Sequence, residues 1–284
     1  MMPNSLNLSV LEFIIWDVDK NAISMGGFHL RWYSLAFLLC FISGIVISRK
    51  IFKKEGVQPD IIYNIILYVM IGTILGARLA HCIFYDWEYY MHNPIEIFQI
   101  WKGGLASHGG FLGVIIALYY SSQKFKNILP KQPFLWILDR AAIILPLAAG
   151  FIRLGNLMNS EIIGKISTLP WSFIFLKAYP PTSEPRHPAQ LYEAITYFLV
   201  FIIVWVYYKS NVKHLRNGIL ISMTMIYLPL ARFLIEFLKE NQEAFENSMT
   251  LNMGQLLSIP FFIIGIIIYF KQRKTPPINY LNTR

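Results

Sequence analysis

Gly150-Phe151-Ile152-Arg153-Leu154-Gly155-Asn156-Leu157-Met158-Asn159-Ser160-Glu161-Ile162-Ile163-Gly164 decides how this chain is read. The stretch leaves an apolar run and ends among polar residues. Its fifteen residues include an arginine, two asparagines, a serine, a glutamate and three glycines. If the run before it crosses a bilayer, this cluster stands where hydrocarbon gives way to water. An arginine there is costly to bury and well suited to hold a phosphate head group.

The composition supports a bilayer. The 284 residues are 55% hydrophobic and 14% charged, whereas a soluble domain carries about 25% charged residues. Mean hydropathy is +0.47. Seven apolar runs, at about 31–48, 60–83, 104–122, 134–152, 190–208, 218–238 and 254–270, are long enough to cross most of the membrane. At about 1.5 Å per residue they match a hydrocarbon core of about 30 Å. The fold expected is an all-α polytopic membrane protein, one membrane domain of seven transmembrane helices. Net charge is +9, which reads as cytoplasmic loop bias rather than as nucleic-acid binding. Cys40 and Cys82 both lie inside apolar runs, so neither a disulfide framework nor a zinc site is expected. The first basic residue is Lys20, and no cleavable signal peptide is expected.

Flanking charge sets the orientation. Arg49, Lys50, Lys53, Lys54, Lys124, Lys126, Lys131, Lys209, Lys213, Arg216, Lys271, Arg273, Lys274 and Arg284 fall on one side. The opposite segments hold only Lys20, Arg31, Lys102, Arg153, Lys165, Lys177, Arg186 and Lys239, together with most of the carboxylates. The positive-inside rule then puts the N-terminus outside and the C-terminus in the cytoplasm. Outer connections are the longer ones. Residues 84–103 carry Trp87, Tyr89, Tyr90 and Trp101, an interfacial aromatic belt. Residues 153–189, with a short strand expected near 171–175, read as a small external cap. Residues 11–16 are too short to span and suit an interfacial helix or strand.

Polar groups recur at one depth. His108 lies roughly 8 Å into the third run, and Arg232 roughly 9 Å below the outer end of the sixth. Glu236 follows Arg232 on the same helical face. Arg78, Tyr33 and Arg153 join them from the second, first and fourth runs. Gly103, Gly104, Gly109, Gly110 and Gly113 surround His108 and allow either close backbone approach or a broken helix. Each group has a structural alternative. Arg78 suits an ion pair with Glu96 or Asp86, Arg232 with Glu236 a helix-stabilising pair, and Asp139-Arg140 an interface pair near the inner end of its run. Two arginines and a histidine nonetheless make an anion clamp with an acid–base group. No Ser-His-Asp order, HExxH, CxxC, P-loop or dinucleotide fingerprint is present. A transporter of anionic lipid or solute is the rival reading. It predicts internal repeats and polar groups through the full depth, and these are not evident.

The motif at 153–164 resembles the signature of the bacterial prolipoprotein diacylglyceryl transferase family. Arg31-Trp32-Tyr33, Gly103-Gly104-Leu105-Ala106-Ser107-His108-Gly109-Gly110, Arg186-His187-Pro188-Ala189-Gln190-Leu191-Tyr192-Glu193 and Arg232-Phe233-Leu234-Ile235-Glu236-Phe237 resemble its other motifs, in family order. The chain departs from the pattern at Ile152, Leu157 and Ser160. The resemblance implies a seven-span bacterial inner-membrane enzyme with a periplasmic cap and its active site toward the outer leaflet. It implies transfer of the diacylglyceryl group of phosphatidylglycerol to the lipobox cysteine of preprolipoprotein signal peptides, with glycerol phosphate leaving. By motif, Arg153 binds the lipid phosphate, and Arg232 holds the lipid or the leaving phosphate. His108, Tyr33 and Arg232 fall at catalytic positions. Asn156, Glu161, Gly164, His187 and Glu236 fall at substrate-binding ones. No metal or organic cofactor is implied.

Overall fold

A computed structural model describes residues 13–130, 132–179 and 181–278. Leu11, Glu12, Lys131 and Arg284, which entered the reading above, lie outside these residues. The described chain is mostly helical: α1 (Trp32–Lys54), α2 (Ile61–Phe84), α3 (Trp87–His92), α4 (Ser107–Lys124), α5 (Pro133–Met158), α6 (Ala189–Asn211), α7 (Ile219–Glu236) and α8 (Met253–Gln272). Two small sheets qualify the all-α expectation. β1 (Ile14–Trp16) pairs in parallel with β4 (Phe173–Phe175), and β2 (Asn21–Met25) pairs antiparallel with β3 (Phe28–Arg31). The strand expected near 171–175 is therefore present. The segment before it that was expected to be an interfacial helix or strand supplies β1.

Six helices, α1, α2, α5, α6, α7 and α8, are long and apolar enough to cross a membrane. The protein is thus a multi-pass membrane protein by length and composition. Outward-facing side chains on these helices are apolar, among them Leu75, Leu199 and Ile267, a surface suited to hydrocarbon rather than water. The remaining long helix, α4, has 18 residues, but three glycines, three serines, His108, Gln123 and Lys124 leave it less apolar.

Among the described residues, one compact unit comprises those up to Cys40, Leu145–Trp205 and Ser222–Ile267. The other comprises Phe41–Ile144, Val206–Ile221 and those from Ile268 on. In the first, Gly26 and Gly27 turn the β2–β3 hairpin with φ of 51° and 87°, the left-handed values a two-residue hairpin loop needs. Trp16 stacks on Phe173 and donates through Nε1 to the Leu157 carbonyl at 3.0 Å. That bond ties the small sheet to the end of α5. Leu157, Phe173, Phe175 and Ala178 form the core beneath it, with Trp16, Ile163 and Leu191 packed around.

In the second unit α2 and α4 interlock through small residues. A Cβ on Gly113 would strike the Gly72 carbonyl, and one on Gly76 would strike the Gly109 carbonyl. Gly109 likewise has no room beside Ala80. Small residues at every fourth position let two backbones touch, which drives helix association where lipid offers no hydrophobic gain. The glycine cluster near His108 therefore serves close approach, and α4 is unbroken. Gly113→Leu should force the helices apart at a backbone that cannot yield. The expected cost is about 1–3 kcal/mol or more, measured as a lowered thermal unfolding midpoint in detergent.

Charges buried in this unit are structural. Glu55 accepts from Arg140 Nη2 at 2.6 Å, Arg140 Nε at 3.2 Å and Trp136 Nε1 at 2.7 Å. Asp139 accepts the backbone N–H groups of Gly218 at 2.7 Å and Ile221 at 2.9 Å, at the start of α7, where orphan donors and the helix dipole favour a carboxylate. Asp139 and Arg140 thus serve packing, as expected, but each turns mainly to a partner of its own. Arg78 differs from its expected ion pair. It is buried and donates to main-chain carbonyls: Ile97 at 2.9 Å, Glu96 at 2.5 Å, Gly103 at 2.5 Å and Gly104 at 3.1 Å. Its guanidinium has five donors, and the irregular segment before α4 offers the carbonyls. Glu96 instead meets Lys102 and Tyr89, which together hold its carboxyl below the usual carboxylate range. Asp86 meets His81.

Candidate active site

The polar end of α5 organises the first unit. The helix continues to Met158, so Arg153 and Asn156 lie on its last turns rather than in a cap beginning at 153. Three residues apart, they share a face, and Arg153 Nη1 donates to Asn156 Oδ1 at 3.2 Å. Asn156 Nδ2 passes the contact on to Glu161 Oε1 at 2.7 Å, and Asn159 Nδ2 reaches the same oxygen at 3.2 Å. Ser160 and Ile162, at φ of 54° and 61°, turn the chain sharply to bring Glu161 back under the helix end. Left-handed backbone at non-glycine residues is strained and persists only where its surroundings enforce it. Gln190 Nε2 helps by donating to the Glu161 carbonyl at 2.6 Å.

Tyr33 sits in the first turn of α1 and leans its ring on Gly155, where a Cβ would lie 2.8 Å from Cδ2. Its phenol stands beside Asn156. Gly155 therefore makes room for Tyr33, a reason for glycine that the motif alone did not give.

On its other side Arg153 meets the carboxylate of Glu193, with Nε 2.9 Å from Oε2. Glu193 is fully buried. Its Oε1 accepts the Tyr197 hydroxyl at 3.3 Å and lies 3.6 Å from Lys239 Nζ. Lys239, also fully buried, pairs with Glu236 Oε2 at 3.0 Å. Glu236 stands 3.8 Å from Arg232 Nε. The charges alternate from Arg153 through Glu193, Lys239 and Glu236 to Arg232. Gly254 permits this, since a Cβ there would run into the Glu236 carboxylate.

The expected helix-stabilising pair of Arg232 and Glu236 is loose, because Lys239 takes the carboxylate. Arg232 Nε is buried with no hydrogen-bond partner among the described residues, while 39% of the side chain remains exposed. Sequence reasoning passed over Glu193, Tyr197 and Lys239. Two spacings would have found them: Lys239 follows Glu236 by three, and Tyr197 follows Glu193 by four, both same-face intervals. Lys239→Met should leave two buried carboxylates short of a counter-charge. A loss of about 3–5 kcal/mol is expected, read from thermal unfolding in detergent.

Gly164 is a crossing point. Its N–H donates to the His187 carbonyl at 3.0 Å, and the next residue, Lys165, donates to the Leu238 carbonyl at 2.8 Å. A Cβ at Gly164 would meet both carbonyls and the His187 Cβ. Arg186 braces the crossing by bonding the Gly164 carbonyl at 3.2 Å and Glu240 at 3.1 Å. Gly164 and His187 thereby fix the loop that carries Glu161 against the segment that carries Lys239. Partial burial lowers the His187 pKa below the usual imidazole range, so the ring is neutral at pH 7. Its Nδ1 lies 3.3 Å from the Tyr192 hydroxyl.

Tyr33, Arg153, Asn156, Glu161, Gly164, His187, Arg232 and Glu236 all belong to this first unit. His108 belongs to the second, in the first turn of α4, with its side chain exposed. Chemically, the first unit offers Arg153 fixed on the buried carboxylate of Glu193 and Arg232 held loosely beside that of Glu236, with a phenol and two amides near Arg153. Guanidiniums placed in this way can hold an anion such as a phosphate.

Comparison with known proteins shows the family. The family described as prolipoprotein diacylglyceryl transferase matches residues 20–271. A phosphatidylglycerol–prolipoprotein diacylglyceryl transferase of Chloroherpeton thalassium is 42% identical over 263 residues, 93% of this chain and 96% of the relative. One from Porphyromonas gingivalis is 41% identical over 281 residues, covering 95% and 98%. One from Tolumonas auensis is 38% identical over 261 residues, covering 92% and 98%. With its motifs in order and the match running through nearly its whole length, the chain belongs to the prolipoprotein diacylglyceryl transferase family.

Proposed function

We propose that this protein transfers the diacylglyceryl group of phosphatidylglycerol to a prolipoprotein, as the names of its relatives describe, and that the acceptor is the thiol of the lipobox cysteine in the signal peptide. The observation that carries the proposal is Arg232. Among the described residues its buried Nε makes no hydrogen bond, and Glu236, 3.8 Å away, is already held by Lys239. A buried guanidinium donor left open calls for an anionic acceptor, and the phosphate of an anionic lipid supplies one. Arg153, held by Glu193 and Asn156, is the second phosphate ligand. Tyr33, Asn156, Glu161, Gly164, His187 and Glu236 position these two groups or line the substrate site.

The reaction is a displacement at carbon. The cysteine S–H bond breaks as sulfur attacks the glycerol carbon that bears the phosphate ester. The S–C bond forms, the C–O bond breaks, and its electron pair stays on the phosphate as glycerol phosphate leaves. Charge grows on the phosphate oxygens, where Arg153 and Arg232 stabilise it more strongly than water would. A free thiol has a pKa of about 8.5 and reacts as thiolate, so a base is needed at neutral pH. His108 is that base in this proposal.

The same reading has α4 as a seventh span, its outward face carrying Phe111, Leu112 and Ile116. It has the N-terminus outside and the chain as one domain of the bacterial inner membrane, with a periplasmic cap and the site toward the outer leaflet. The test is direct. Purified protein is incubated with phosphatidylglycerol vesicles and a lipobox peptide, and the peptide is weighed. A diacylglyceryl adduct is expected. Bound lipid with no adduct would favour transport of an anionic lipid instead.

A further inference from the structure

The second unit holds, beside His108, side chains that the reaction above does not use. A cavity of about 450 Å³ is lined by His81, Tyr85, Gly104, Leu105, Ala106 and His108. It thus contains two imidazoles, and their surroundings differ. Among the described residues no hydrogen bond is made to the His108 ring. The His81 ring, by contrast, is held by several neighbours while it still faces the cavity. Its Nε2 stands 3.0 Å from Asp86 Oδ2. Tyr85 stacks on it with centroids 5.6 Å apart and planes 14° from parallel, and Tyr90 approaches edge-on at 6.2 Å. Gly104 packs closely on the ring as well, since a Cβ there would fall 2.5 Å from His81 Cδ2 and 2.6 Å from Nε2.

The Gly104 wall is itself anchored. Arg78, one helical turn before His81, binds the carbonyls of Gly103 and Gly104, and both glycines take left-handed φ, 87° and 73°. The charged and titratable groups around His81 are therefore Asp86, Tyr85, Tyr90, Arg78 and His108. Asp86 makes the polar contact to the ring and is itself exposed, since 53% of its side chain is open while 20% of His81's is. A carboxylate that orients an imidazole and leads outward is the usual companion of a histidine that moves protons.

We propose that His81, oriented by Asp86, relays the proton that His108 removes from the substrate thiol. The inference rests on the proposed function. Each turnover breaks one S–H bond and puts one proton on a His108 ring nitrogen, and His108 must lose it before the next thiol arrives. The second imidazole in the same cavity accepts that proton. It releases its own on the Asp86 side, where solvent takes it up. One proton enters and one leaves, and no oxidant, reductant or other reactant is required. His81 does not touch the reacting atoms in this scheme. It acts through His108 and is a relay residue.

The test compares wild type, His81→Ala, His81→Gln and Asp86→Asn in phosphatidylglycerol vesicles with a lipobox peptide, in dilute buffer with and without added imidazole. A positioned proton-transferring side chain contributes about 10²–10⁴-fold, and a relay behind one should reach the lower end. His81→Ala and His81→Gln are expected to transfer about 10²-fold more slowly than wild type at neutral pH. Imidazole should restore His81→Ala in a concentration-dependent way and leave wild type unchanged. Asp86→Asn should shift the pH profile of the rate. His81→Gln retains a polar side chain in the stack, so its unfolding midpoint should stay near that of wild type. Wild-type rates in the His81 variants would overturn the relay. So would a slowing that imidazole does not relieve and that leaves the pH profile unaltered. If wild type itself forms no adduct, the proposed function falls and the relay with it. If wild type forms adduct and the variants match it, the relay alone falls.

Discussion

Arg153→Ala is expected to lower diacylglyceryl transfer by about 10³-fold or more while the protein still inserts. Removing one preorganised donor to a developing oxyanion costs about 10²–10³-fold in rate, and here the loss is compounded. Arg153 meets Glu193 at 2.9 Å and Asn156 at 3.2 Å. In the proposed site its removal takes a charge from the lipid phosphate, and it also leaves Glu193, fully buried, with Lys239 as its main cation. Lys239 is shared with Glu236 at 3.0 Å. The freed carboxylate would then repel the phosphate that the arginine attracts. Arg153→Lys separates the two effects. Its ammonium can hold Glu193 but has no planar fork to share between carboxylate, amide and phosphate, so fold should survive with most activity lost. The measurement is the mass of the lipobox peptide after incubation with phosphatidylglycerol, paired with the amount of protein recovered from membranes. Normal transfer by Arg153→Ala would remove the residue from the mechanism.

His108→Gln should have the second large effect, a fall of about 10²–10⁴-fold at neutral pH, the span of general base catalysis. Glutamine keeps polar bulk but cannot accept the proton. A free thiol ionises more fully as pH rises through about 8.5, so the deficit should shrink in alkaline buffer as thiolate forms without help. That recovery is the distinguishing readout. A residue that only shaped the cavity would be missed equally at every pH. Normal transfer by His108→Gln at pH 7 would exclude it as the base.

Much of this was legible because the bilayer simplifies the problem. Apolar run length found all seven long helices, and charge at a helix end is costly enough to stand out, which is why Arg153 and Arg232 were visible. What stayed hidden depends on contacts between distant segments. Glu193 and Lys239 look like ordinary polar residues at the mouths of α6 and α7 until folding buries both. Arg78 has carboxylates nearby in sequence, yet it turned to main-chain carbonyls, because the short turns before α4 present them to it. The helical extension to Met158 was obscured by polar residues that usually mark a loop. Asn156 is tolerated there because its amide is occupied on both faces, by Arg153 and by Glu161. The two asparagines differ in whether they hold Arg153. Asn156 does so directly, while Asn159 reaches only Glu161.

The glycine seam between α2 and α4 bears on traffic. Where carbonyls of one helix occupy the space that Cβ atoms of the other would need, no acyl chain passes. If the proposed reaction holds, lipid substrate and lipidated product come and go by another door, and α2 with α4 forms a closed seam. Substitutions that open this seam should harm the protein through its integrity and never speed exchange with the bilayer.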